Sequence, residues 1–416
     1  MQGLRVRIIG AGTGGLCLAH GLRRDGIDVE LFERDLAPTD RQQGYRLSIN
    51  ATGRRALRAC LPERHFEKLV ANCAKPSESV SLLDHHLNRL LVLELPHRDR
   101  QNAESELPVS RIALRSILSE GLTDVIHYGK RCVGFEVDPH SGVAAHFEGG
   151  SSTTGDVLIG ADGASSSLRA QLLPQARRVE TGIVAVSGKL GLDDRAREAV
   201  PQPILRGPTL ILGPQGCFMF ASAVDYEDDA DCGEPCYDRE KYVMWGFSAH
   251  GETLNLPGNS DVLSSQDATA PVIALIDEWH PALKWLVQAT DVSTVTAFAV
   301  KTSVPIRPWP TQRVTLLGDA LHNMTPFRGI GANTALRDAA ALRQALVVVA
   351  RGQGDLIEAL GAYEREMIDY GFAAVQTSLN DMKRFHSKGL LARTAVKSLF
   401  RAIDLMPTLR SAFLGR

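Results

Sequence analysis

Cysteine is scarce in this sequence. Its seven copies, Cys17, Cys60, Cys73, Cys132, Cys217, Cys232 and Cys236, are odd in number and irregular in spacing. That argues against a disulfide framework and for a reducing compartment. Cys232 and Cys236 are the nearest pair, but no second pair of soft ligands stands beside them, so they read as loop thiols rather than half a zinc site. An excess of charge is lacking too. Against 46 Lys and Arg stand 48 Asp and Glu, a formal net charge of -2. Nothing in that balance favours a nucleic acid or an anionic membrane as partner. No uncharged apolar run reaches the roughly 18 residues of a membrane helix. The first apolar stretch, Val6 to Leu22, is interrupted by Gly10, Gly12, Gly14 and Gly15 and shows no small-residue cleavage pattern, so a signal peptide is not expected. The expectation is a soluble, cytoplasmic chain that handles a small molecule as a monomer or homodimer, without stable membrane association.

What is present has an ordinary globular balance, with 44% hydrophobic and 23% charged residues in 416. That length suggests two domains, or one large α/β domain carrying an inserted layer. Leu4–Ile9 reads as a strand, Gly10–Gly15 as a turn, Leu16–Arg24 as a helix and Ile27–Phe32 as a second strand. This is a βαβ opening with strands apolar enough for a parallel sheet. Thr52–Leu61 and Arg111–Leu122 have helical spacing, and Cys132–Val137 with Val143–Phe147 forms a hairpin candidate. From about Thr181 to Val300 the character changes. β-rich runs such as TLILG, CFMFASAV, YVMWGFSAH and VSTVTAFAV predict an antiparallel sheet as a second layer, with a helical patch at Ala270–Gln288. The chain is then helical over Asn333–Ala350 and Leu356–Arg384, and ends in a basic, helix-forming tail from Lys383 to Arg416.

The first motif is IIGAGTGG, with Gly10, Gly12 and Gly15 in a GxGxxG arrangement around Thr13 and Gly14. The first glycine lets the strand turn sharply, the second lets backbone approach a pyrophosphate, and the third lets the helix pack on the sheet. The helix amino end then offers free N–H groups and positive dipole to phosphate. Glu33 ends the second strand, where a carboxylate can accept from ribose hydroxyls, and Arg34 follows it. The motif predicts a dinucleotide site without choosing the dinucleotide.

Two further motifs repeat the strand-to-loop-to-helix pattern. DVLIGADGASSSLR carries Asp162 and Gly163. VTLLGDALHNMTPFRGIGANTALRDAAAL carries Gly318, Asp319, Pro326, Gly329, Ile330, Gly331, Ala332 and Asn333. With all three motifs in this order, essentially the whole chain resembles the group A, single-component FAD-dependent monooxygenases, the para-hydroxybenzoate hydroxylase-like family, which includes tetracycline-inactivating and natural-product flavin monooxygenases.

The resemblance implies an α/β fold: a Rossmann-like FAD-binding domain of the GR2 type, an inserted α+β layer whose β-sheet binds substrate, and C-terminal helices. It suggests an FAD-binding domain built from 1–75, 103–175 and 301–380, a substrate domain from 76–102 and 176–300, and a helical segment at 381–416. It implies non-covalent FAD, NAD(P)H as transient co-substrate, and O2, with a flavin C4a-(hydro)peroxide oxygenating a small aromatic or polyketide-like substrate. Glu33 would hold the adenosine ribose, Asp162 would support FAD and the reductant, and Asp319 the ribityl or pyrophosphate region. Pro326 to Asn333 would pass the isoalloxazine edge. Arg111 or Arg115 would place an arginine on FAD. Arg328 and Ile330 depart from the family pattern; Arg328 either faces the flavin or an anionic substrate, or points to solvent. No residue is a certain catalyst, since the flavin does the chemistry; Arg46, Arg328 and Pro326 are the candidates. Arg46, Ser48, Phe218, Phe220, Trp245, Phe247 and Phe327 are the candidate substrate contacts, the sheet aromatics being chosen for their period-two spacing. His322 is expected to serve as a structural hydrogen-bonding group.

Three alternatives remain. A flavin oxidase or halogenase would share the fold, although none of the four tryptophans forms the WxWxIP segment of halogenases. A redox-silent FAD-binding scaffold is the second. An NAD-only dehydrogenase is the third, and it leaves Asp162 and Asp319 without a role.

Overall fold

The computed structural model describes residues 3–37, 45–96, 102, 104–138, 142–227, 237–254 and 265–406. Cys232, Cys236 and the last ten residues of the basic tail lie outside them. The βαβ opening forms as its sequence demands: β1 (Arg5–Ile9) turns at Gly10 into α1 (Thr13–Arg24), and β2 (Asp28–Phe32) returns parallel to β1. Strand β3 (Arg46–Ile49) runs into α2 (Ala51–Cys60), whose first amides, Thr52 and Gly53, donate to the Asn50 side chain. The sequence reading passed over α3 (Glu63–Ala71). Strands β4 (Ser79–Asp84) and β5 (Arg89–Glu94) form a hairpin. Next, β6 (Leu107–Ser110) pairs with β3, and Ser110 caps α4 (Arg111–Ser119).

Strand β7 (Ile126–His127) joins the parallel sheet beside β2. The expected hairpin is β8 (Cys132–Asp138) with β9 (Gly142–Phe147), extended by β10 (Ser152–Gly155). Then come β11 (Val157–Gly160), α5 (Ser167–Leu172) and β12 (Arg178–Gly191). Short helices α6 (Asp194–Ala199) and α7 (Gln202–Arg206) lead to β13 (Thr209–Leu212), β14 (Phe218–Val224) and β15 (Tyr242–His250). The helical patch at 270–288 is two helices, because His280-Pro281 starts a new one: after α8 (Gly251–Leu254) come α9 (Ser265–Leu275) and α10 (Pro281–Gln288). The chain closes with β16 (Thr296–Ser303), β17 (Val314–Leu316), α11 (Asp319–His322), α12 (Gly331–Ala350), α13 (Leu356–Phe385) and α14 (Leu390–Leu405).

Two sheets organise these elements. One is five-stranded and wholly parallel, in the order β17-β11-β1-β2-β7. Its central strand is buried from Val6 to Ile9, as a strand covered on both faces must be. The other is seven-stranded, in the order β16-β12-β15-β14-β13-β4-β5. It is antiparallel except where β13 runs parallel to β4. The long β12 bends through a bulge between Glu180 and Val184, where Gly182 takes a φ of 77°. One face of this sheet carries a large core with Trp245, Phe247, Trp279 and Leu286 under α9 and α10. The opposite face carries Phe218 and Phe220 and meets Phe327 and α13. Among the described residues no helix is long and apolar enough to cross a membrane, and no group of three or more His, Cys, Asp or Glu residues is placed to hold a metal ion.

Candidate functional site

The carboxyl ends of β1, β2, β11 and β17 open onto a cleft of about 570 Å³. This is where an open parallel sheet exposes loops and helix amino ends to a ligand. The three sequence motifs converge on it. Gly10, Gly12, Thr13 and Gly14 line it from the first, Asp162 and Gly163 from the second, and Gly318, Asp319, Pro326, Gly329, Ile330, Gly331 and Ala332 from the third. Glu33, Arg34 and Arg111 of the expected set also stand on its wall, whereas Gly15, Arg115 and Asn333 do not.

The glycines divide the work by what surrounds each Cα. Gly10 has φ 110°, and a Cβ there would lie 2.4 Å from the Ala161 carbonyl oxygen. A Cβ on Gly15 would lie 2.1 Å from the Gly10 carbonyl oxygen. These two set backbone against backbone. Gly12 has nothing within 4 Å of its Cβ position, which therefore faces the open cleft at the head of α1. Gly15 packs the helix and does not reach the cleft wall.

Glu33 is buried. Its Oε2 accepts from the Ala11 amide at 2.7 Å and its Oε1 from the Asp35 amide at 3.1 Å. The carboxylate thus ties the glycine loop to the end of β2. Arg115, on the next turn of α4 from Arg111, donates to Asp35 at 3.2 Å and stands 3.9 Å from Glu33. It braces the acidic pair, whereas Arg111, at the amino end of α4, stands on the cleft wall.

The Asp162 Oδ2 accepts from the Ser167 amide at 2.9 Å, while its Oδ1 is buried without a partner. Burial, only partly offset by hydrogen bonds from the following serines, raises this carboxyl above its ordinary range. An unsatisfied buried acceptor on a cleft wall fits a bound donor such as a hydroxyl. Asp319 is exposed to the cleft at the start of α11. Helix α12 begins at Gly331, two residues before the expected start at Asn333, and has no acid in its first turn to offset its positive end.

Asn333 is a correction. Its side chain donates to the Ser48 carbonyl at 2.9 Å and accepts from the Asn50 amide at 2.9 Å. It clamps β3 to α12 and lies off the cleft wall. Arg328 is likewise not on the cleft wall. It is exposed and donates to Asp381 on α13 at 2.9 Å, pinning the Pro326–Arg328 turn from outside. The expected substrate aromatics do not share one surface. In the β14–β15 register Phe218 faces Ser248 and Phe220 faces Gly246, while Trp245 pairs with Ala221 and Phe247 with Met219. Trp245 and Phe247 therefore point to the far side, into the core beneath α9 and α10. Phe218 and Phe220 point toward Phe327, whose ring lies 5.7 Å from that of Phe218.

Arg46 donates to Ser222 Oγ at 3.0 Å and to Ser77 Oγ at 3.2 Å, and its buried Nε has no partner. Ser48 donates to Glu106 at 2.5 Å and is turned from Leu47, which lines the cleft. Sequence reasoning missed Lys130, Arg131, Cys132 and Val133 on the cleft wall. Parallel pairing of β7 with β2 carries them beside Glu33, and nothing local in their sequence signals it.

Comparisons with known proteins agree with this geometry. Residues 266–378 match the family model of an FAD binding domain, and residues 8–52 that of an NAD(P)-binding Rossmann-like domain. The chain is 31% identical over 88% of its length to the dual O-methyltransferase/FAD-dependent monooxygenase elcB of Phaeosphaeria nodorum, and that match covers 43% of the relative. It thus spans under half the length of the first curated relatives it matches. The FAD-dependent monooxygenase thnD of Trichoderma harzianum is 28% identical over 90% of this chain and 92% of its own. A solved structure assigned as an FAD containing monooxygenase, from Photorhabdus luminescens subsp. laumondii, superposes with a TM-score of 0.82 at 32% identity, covering 92% of this chain and 98% of that one. With three motifs on one cleft and a full-length structural relative, the chain belongs to the FAD-dependent monooxygenases of the para-hydroxybenzoate hydroxylase-like family.

Proposed function

We propose that this protein is an NAD(P)H-consuming, FAD-dependent monooxygenase that oxygenates a small aromatic or polyketide-like molecule in the cytoplasm. The observation that carries the reading is that the three motifs share one cleft. At one end it presents the open Gly12 position and the acid-free head of α1. At the other it presents Gly329 to Ala332 and the acid-free head of α12. These features fit a pyrophosphate at the first end and a flat ring, anionic when reduced, at the second. The unsatisfied Asp162 Oδ1 lies between the motifs that build them.

When bound and reduced by NAD(P)H, FAD supplies two electrons to O2, so that one oxygen atom goes to substrate and the other to water. The remaining work falls to side chains and backbone of this chain. In this reading the α1 amides and Arg111 hold the pyrophosphate, and Glu33 with the 130–133 segment encloses the adenosine. Asp319 holds the ribityl chain, and the Gly331 and Ala332 amides face the ring. Phe327, Phe218 and Phe220 exclude water between the cleft and the seven-stranded sheet. The division into an FAD-binding part (1–75, 103–175, 301–380), a substrate part (76–102, 176–300) and a C-terminal helical segment (381–416) belongs to the same proposal.

The test is the absorption spectrum of the purified, FAD-supplied protein under argon, before and after NADPH or NADH. Oxidised-flavin bands that bleach with reductant and return with air are expected. A protein that stays colourless after FAD is supplied ends the proposal.

A further inference from the structure

Behind the third motif lies a buried polar cluster that the cleft itself does not display. Asp338, on the second turn of α12, is wholly buried. Its Oδ2 accepts from the Gly318 amide at 2.7 Å and is paired with His322 Nε2 at 2.7 Å. Its Oδ1 accepts from the Tyr370 hydroxyl of α13 at 2.6 Å. All three partners are donors, so a carboxylate satisfies them at once. Tyr370 is itself covered by the Arg337 guanidinium, 3.6 Å from the ring centroid.

The neighbouring chain is cut to fit this cluster. Gly318 has φ 61°, and a Cβ on Gly371 would lie 2.7 Å from the His322 ring, so α13 can pass only with glycine there. Burial on its own would push the His322 imidazole down, but Asp338, with Asp319 adding to it, outweighs burial and holds it above its ordinary value. The charge of Asp338 also bears on Tyr363 of α13, as does Glu364, while Arg337 and Glu366 bear on Tyr370.

We propose that Asp338 is a positioning residue of the FAD site: it fixes the Gly318 amide and the His322 end of α11, and thereby holds Asp319 against the cofactor. Gly318, two residues beyond the end of β17, is where the chain turns along the cleft wall into α11, and Asp319 follows it directly. A four-residue helix has almost no rigidity of its own. The amide of the residue that precedes it, Gly318, and its last side chain, His322, are both held by the same carboxylate, which is what sets its direction. The inference rests on the FAD reading of the cleft.

The experiment is a titration of apoprotein with FAD, followed by quenching of flavin fluorescence, for wild type, Asp319→Ala, Asp338→Ala and the double variant. Asp338→Ala is expected to raise the Kd tenfold or more. The double variant is expected to bind no more weakly than Asp319→Ala alone, because both changes remove the same contact. A purely structural loss would add to that of Asp319→Ala and would overturn the proposal, as would a wild-type Kd in Asp338→Ala. Should Asp338→Ala fail to fold, Asp338→Asn carries the same cycle. Its one oxygen keeps the Gly318 amide, so it is expected to stay within about threefold of wild type at neutral pH; a loss as large as the alanine predicts would count against the proposal. Wild-type apoprotein that does not quench FAD at all would instead sink the FAD reading, a result distinct from either.

Discussion

Phe220 and Trp245 sit on adjacent strands, one residue out of register, and point to opposite faces of the same sheet. Phe220 looks toward Phe327 and the cleft side, and Trp245 is fully buried on the far side, its Nε1 donating to Thr290 Oγ1 at 2.7 Å. The two rings should therefore answer to different measurements. Trp245→Ala empties a core and should cost about 3–5 kcal/mol of stability, read by denaturant unfolding. Phe220→Ala should cost clearly less and act on turnover or on the coupling of NADPH oxidation to product. Equal stability losses would put both rings in one core.

Gly12 and Gly15 make a second pair with separable effects. Gly12→Glu places a carboxylate in open cleft space at the head of α1, where it competes with a pyrophosphate. FAD binding should vanish while the apoprotein melts near the wild-type temperature. Gly15→Ala should instead lower the melting temperature, because its methyl meets the Gly10 carbonyl oxygen. Full FAD occupancy in Gly12→Glu would remove this loop from the site.

Arg111 and Arg115 resolve in the same manner. Arg111→Ala is expected to weaken FAD binding severalfold, since Arg111 lines the cleft. Arg115→Ala leaves Asp35 and Glu33 without their guanidinium, at 3.2 and 3.9 Å, and should lower stability at least as much as affinity. Calorimetric titration of both apoproteins, beside thermal melts, separates them.

Glu364 on α13 supplies a pH dependence unrelated to the cleft. Burial pushes its carboxyl up to about 7, with Thr311 donating to it at 2.7 Å. The folded state keeps this proton between the ordinary carboxylate value and about 7, whereas the unfolded chain releases it. Folding thus binds the proton in that window, and stability falls as pH rises through it. Glu364→Gln mimics the protonated form at every pH. Its melting temperature, relative to wild type, should be higher at pH 8 than at pH 5; an equal difference at both would show that the carboxyl titrates normally.

Much of the site was legible because its demands are local. A glycine with positive φ, a strand ending in a glutamate and an aspartate after a glycine act on the chain within a few bonds, and residue types report such constraints directly. The βαβ opening, the β8–β9 hairpin and the strands of the second sheet were legible for the same reason. The limit shows at α4. Arg111 and Arg115 are four residues apart and lie on nearly the same helical face, so spacing cannot say which meets a ligand.

By itself, then, the sequence determined the backbone chemistry of a dinucleotide cleft and the existence of two layers. The tertiary structure alone decided what each side chain faces. Strand register put Phe220 toward the cleft side and Trp245 away from it, since a shift of one residue inverts every side chain of a strand. The meeting of α11, α12 and α13 gave Asp338 three donors drawn from positions up to 52 residues apart. Contacts of that kind come from packing over long sequence separations, and no local pattern encodes them.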